Sequence, residues 1–104
     1  MEIALMHKHF DAQHLALVKA EMVKLGAPTI KAVWMECWGV WAALEGCHRI
    51  RAAKEIGMIP EIEEIEYSED VTLEDLGIDD AGDGFTVAEI ADAACRAKLI
   101  KFEE

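Results

Sequence analysis

Glycine and proline set the first limit on this chain. Breaks at Gly26-Ala27-Pro28, at Gly46, at Gly57-Met58-Ile59-Pro60 and between Gly77 and Gly84 divide its 104 residues into short segments. Each segment must fold by its own periodicity, because proline disfavours a helix at the residue before it and glycine costs a helix or strand interior entropy. A chain of this length hides roughly 60–65% of the surface its unfolded form exposes. That permits one modest core, with no room for a separate catalytic domain.

The segments alternate in character. Met1–His7 reads as a short strand. Asp11 can cap a helix in which Leu15, Val18, Met22 and Leu25 form one face, with Phe10 and Leu15 at the positions of a hydrophobic staple. Thr29–Met35 reads as a strand, and Trp38–Glu45 as a second one near the centre of a sheet, joined by a tight turn at Glu36-Cys37. Cys47–Ile56 reads as a helix stopped by Gly57. Pro60–Tyr67 reads as an edge strand whose glutamates discourage edge-to-edge pairing. Val71–Leu76 reads as a short helix, Gly77–Gly84 as a loop, and Thr86–Lys98 as a helix with a capping box at Thr86 and Glu89 and a basic end at Lys98 and Lys101. The expectation is a single α+β domain over 1–104, a small mixed sheet flanked by helices. Residues 71–104 form an acidic helical C-terminal extension.

Charge is distributed unevenly. Residues 1–60 hold seven Lys/Arg against six Asp/Glu, whereas residues 61–104 hold three against fifteen, and the whole chain carries −11. A broad DNA-binding face needs a basic surface, so this balance argues against one while leaving room for a local anion site in the first half. The longest apolar run, Trp38–Leu44, is far short of the roughly 20 residues needed to cross a bilayer. No secretory signal is evident. Three cysteines without a Cys-x-x-Cys pair favour a reducing, cytoplasmic setting.

The stretch that carries chemistry is Gly46-Cys47-His48-Arg49-Ile50-Arg51-Ala52-Ala53-Lys54. A glycine at a strand end followed by the opening of a helix presents free amides and a partial positive charge to an anion. Arg49 can give a phosphate paired N–H donors, and His48 one more. The same field would lower the thiol pKa of Cys47 and make it a nucleophile. Packed as a small apolar side chain, Cys47 would do neither.

The motif Gly46-Cys47-His48-Arg49 resembles the sulfiredoxin signature. The longer string to Lys54 resembles the ParB box, with Cys47 and His48 replacing a glutamate and an arginine. The resemblance, to the superfamily that unites the ParB N-terminal domain with sulfiredoxin, spans roughly residues 10–67. It implies a nucleotide-phosphate-binding domain with Gly46, His48, Arg49 and Arg51 around the phosphates of ATP or CTP with Mg²⁺, and phosphoryl transfer as a further activity. A sulfiredoxin-like ATP-dependent reduction of cysteine sulfinic acid would make Cys47 catalytic. The remaining alternative is a non-enzymatic interaction or regulatory module that docks a protein partner or a second copy.

Other features carry less. His7 and His9 would face one side of a strand, and the cysteines could converge with them, but no paired ligand spacing marks a zinc site. A disulfide between Cys37 and Cys47 is conceivable in a redox cycle. Asp79, Asp80 and Asp83 do not match a calcium loop and read as a solvated turn. Trp34, Trp38 and Trp41 read chiefly as core, with Trp38 and Trp41 on opposite faces of one strand.

Overall fold

In a computed structural model, described for residues 1–5, 9–78 and 84–102, the chain is an α+β fold built on a five-stranded mixed sheet. Its elements are β1 (Glu2–Leu5), α1 (Ala12–Leu25), β2 (Thr29–Met35), β3 (Val40–Ala43), α2 (Cys47–Ile56), β4 (Glu61–Glu64), α3 (Val87–Ala94) and β5 (Lys98–Lys101), with a 3₁₀ turn at Glu74–Leu76. The strand order is β4-β2-β3-β1-β5. β1 runs parallel to β3 and β2 parallel to β4, while β2–β3 and β1–β5 are antiparallel.

Both faces of the sheet are covered, as strand alternation demands. Ile3, Leu5, Ile30, Ala43 and Ile100 point to one side, where they meet Leu15 and Met22 of α1 and Cys47, Ile50 and Ala53 of α2. Ala4, Val33, Val40 and Ala42 point to the other, against Val87, Ile90, Ala91 and Ala94 of α3 and against Leu73 and Ile78. The acidic last third is therefore the second cover of the sheet and supplies one of its edges.

The ends of the helices follow the sequence closely. The Asp11 carboxylate accepts the Gln13 and His14 amides at 2.9 and 3.0 Å, and Gly26 closes α1. Gly57, left-handed at φ 76°, ends α2, and the Met58 amide reaches back to the Ala53 carbonyl. Thr86 and Glu89 form the capping box of α3 in both directions.

Several expectations are corrected. The tight turn is Glu36–Gly39, and β3 begins only at Val40. Met35 carbonyl accepts from both Trp38 and Gly39, and Gly39 is left-handed at φ 66°. Trp38 thus sits in the turn, 55% exposed, and shares no strand with Trp41. Trp34 faces Trp41 across the β2–β3 ladder, with ring centroids 5.2 Å apart, and is itself 44% exposed; only Trp41 packs against the core. The helix expected over Thr86–Lys98 stops at Ala94, and Lys98–Lys101 forms β5 against β1. Ile100 and Phe102 alternate inward there, so the lysines that read as a basic helix end are edge-strand residues. β4 is shorter than expected, ending at Glu64, and the end of the expected first strand, Met6 and His7, lies outside the described residues. Asp79–Asp83 lie outside them too.

The strand reading of the C-terminal segment is testable by paired truncations. Ile100 is buried and Leu99 is 47% exposed. Ile100→Ala should cost about 2–4 kcal/mol in chemical denaturation and Leu99→Ala within about 0.5 kcal/mol. A helical continuation would set Leu99 near the face of Ala91 and Cys95 and turn Ile100 away from it, which would reverse the order.

Candidate functional site

The β3–α2 junction is governed by Gly46. It adopts the left-handed conformation at φ 75°, and a Cβ built there would lie 2.8 Å from Ile30 Cδ1 and 3.2 Å from an Arg49 guanidinium nitrogen. A side chain is excluded both by conformation and by space. As helix N-cap, Gly46 brings no side-chain acceptor of its own to the first turn of α2.

This turn forms one wall of a cleft of about 750 Å³, with Gly46, Cys47, His48 and Arg49 along it. The opposite wall is α1 and the bend that follows it, including Asp11, His14, Glu21 and Pro28. His48 connects the two walls. Its Nε2 accepts the backbone amide of Asp11 at 3.0 Å, and the His14 ring meets the His48 ring edge-on at 4.5 Å. An acceptor Nε2 is an unprotonated nitrogen, so in this arrangement a neutral His48 carries its proton on Nδ1.

Arg49 folds back over Gly46. One guanidinium nitrogen donates to Glu45 Oε1 at 3.2 Å and another to the Thr29 carbonyl at 3.4 Å, while Lys31 lies 3.6 Å from the other Glu45 oxygen. Guanidinium carries five N–H donors, so these contacts leave capacity for an anion. The Asp11 carboxyl is held below its ordinary value of 3.8, chiefly by the amides of His14 and then Gln13.

The structure brings four of the five expected residues to one place and separates the fifth. Arg51 lies about 200° around the helix from Arg49. Its guanidinium sits 4.7 Å over the Phe10 ring and lines a different depression. Cys47 borders the cleft but is 6% exposed and belongs to the core beneath it. Cys37 is exposed in the hairpin turn, and Cys95 is buried on the opposite face of the sheet, where burial and then Asp92 push its thiol pKa up. Among the described residues the three cysteines are unbridged and no group of three metal-binding side chains converges. Asp11, His14 and Glu21 were not singled out as site residues from sequence. Asp11 announced itself as a helix cap, but its meeting with His48 depends on how α1 lies on α2.

Comparison of the chain with protein-family models, with curated proteins and with solved structures finds no match.

Two consequences can be measured. Gly46→Ala should lower stability by at least about 1–2 kcal/mol from the left-handed backbone alone, with the Ile30 contact adding to it, whereas Gly39→Ala, which meets nothing within 4 Å, should cost only the backbone part. The Asp11 cap predicts a pH effect. A depressed carboxyl stabilises the fold above its unfolded pKa, and that contribution is lost as pH falls through the lower folded value. The stability difference between wild type and Asp11→Ala should therefore be constant near neutrality and shrink once pH drops below about 3.8.

Proposed function

We propose that the cleft between α1 and the first turn of α2 binds the phosphates of a nucleotide. The observation that carries the reading is the convergence, on one cleft wall, of an α2 N-terminus whose N-cap is a glycine and an Arg49 with unused donors. Helix amides and dipole favour an anion at that point, and a guanidinium matches phosphate geometry. The cleft volume falls within the range of sites that hold drug-sized ligands. The resemblance of Gly46-Cys47-His48-Arg49 to the sulfiredoxin and ParB motifs points to the same ligand class, ATP or CTP.

Asp11 and Glu21 border the cleft as well, and two carboxylates repel a bare polyphosphate. A Mg²⁺ ion carried in on the phosphates relieves this, since Mg²⁺ keeps several waters and takes one or two carboxylates beside phosphate oxygens. These two side chains fit that role. His48 acts here by joining α1 to α2, because its Nε2 is already an acceptor for Asp11. Arg51 is left out of the phosphate site. Cys47 packs in the core, and we assign it to helix packing rather than to attack on a sulfinyl phosphate.

Calorimetry with ATP and with CTP, each with Mg²⁺, tests the reading. Saturable binding should weaken about 10- to 100-fold in Arg49→Ala, the loss of a charge-assisted hydrogen bond, and persist in Arg51→Ala and Cys47→Ser. A folded wild type that binds neither nucleotide overturns it and favours an interaction module instead.

A further inference from the structure

The two edges of the sheet carry opposite charge. β4 at one edge is Glu61-Ile62-Glu63-Glu64, followed by Glu66, Glu69 and Asp70. β5 at the other is Lys98-Leu99-Ile100-Lys101. Beside β5 runs a groove of about 470 Å³, to which α2 adds Arg51 and Lys54. Four of the ten Lys/Arg of a chain carrying −11 are thus gathered at a single sheet edge. Glu55 also borders the groove, but it is paired with Lys19 at 3.3 Å.

We propose that β5 of one copy of this chain pairs with β4 of a second copy, continuing the sheet from molecule to molecule. Each is a four-residue strand with one backbone edge unpaired in the sheet order. An edge of this kind is a template for another strand. The charges match on both faces. Ile62 and Ile100 pack on the α1/α2 side, so alternation puts Glu64 and Lys98 toward that side and Glu61, Glu63 and Lys101 toward the other. Among the described residues, no ion pair engages Glu61, Glu63, Glu64, Lys98 or Lys101. Like-charge repulsion opposes β4 against β4 and β5 against β5, which leaves the head-to-tail contact as the pairing that charge permits. Such a contact is heterologous, so it propagates or closes a ring and does not stop at a symmetric dimer. The proposal is independent of the nucleotide reading, whose cleft lies between α1 and the start of α2.

The experiment is sedimentation of the full chain from low micromolar to millimolar concentration, at low salt and near 1 M salt, where the screening length is about 3 Å. The average mass should rise with concentration at low salt and return to that of one chain at high salt. Lys98→Glu/Lys101→Glu alone and Glu61→Lys/Glu63→Lys alone should each remain single chains, and an equimolar mixture of the two should associate again, because each acidic edge then meets a basic one. Dilution of the associated wild type, followed by amide chemical shifts, should move residues 61–64 and 98–101 and needs no variant to fold. Three results overturn the proposal: a wild type that stays a single chain at millimolar concentration, a mixture of swapped variants that fails to associate, or shifts centred on the exposed Trp34 and Trp38 or on α1.

Discussion

The close approach at Gly46 is the constraint on which the first half of the molecule depends. β3 is hydrogen-bonded to β2 on one side and β1 on the other, and its continuation through Leu44 is fully buried. The chain can leave this position and lay α2 on the sheet only by turning at once, over a spot where Ile30 leaves no space for a side chain. Ala52 and Ala53, both fully buried, let the helix settle close to the strands. α1 then packs against α2, and the His48–Asp11 hydrogen bond fixes the relation of their two N-terminal ends. The cleft is a by-product of that arrangement: two helix ends brought together above a sheet they cannot fully cover.

The last third obeys a different logic. Its acidic residues appear to the eye as a soluble tail, yet Leu73, Ile78, Val87, Ile90, Ala91 and Ala94 are apolar at the spacings that bury one side. Among the described residues the carboxylates of this third stay on the outer surface, and the interior contains no buried charged side chain. High negative charge and a well-formed second layer are compatible because burial is decided residue by residue, whereas net charge is only a sum.

Local signals carried over into the fold where a few neighbouring residues suffice. Asp11, Gly26, Gly57 and the Thr86–Glu89 box are such cases, since a cap is made by groups within four residues of each other. The readings that failed needed distant information. Trp38 looked like the start of an apolar strand because Val40–Leu44 follows it, but the turn spends four residues and leaves it outside. Lys98–Lys101 fits a helix end as well as a strand, and only the open edge of β1 decides between them. At the site, Gly46 through Arg49 were legible because a strand-to-helix junction is a local feature. Asp11, His14 and Glu21 were not, since α1 is separated from α2 by two strands. Arg51 was misplaced by treating nearness in sequence as nearness in space; two residues on a helix point in nearly opposite directions.

Arg49 shows how such a site can be held ready. An arginine free in solvent must surrender rotamer freedom to grip a ligand. Here Glu45 and the Thr29 carbonyl already hold the guanidinium over Gly46, so much of that ordering is complete before an anion arrives. The cost is charge: Glu45 lies four residues back on the chain and offsets part of the cation it positions, with Lys31 balancing it from β2. The net effect favours geometry over raw attraction. On the proposed reading, an anion with several oxygens would gain from this preorganisation, whereas a simple monovalent ion would meet an arginine whose charge is already partly offset by Glu45. If the proposed phosphate reading holds, discrimination by shape is what this arrangement of Glu45, Gly46 and Arg49 would add to it.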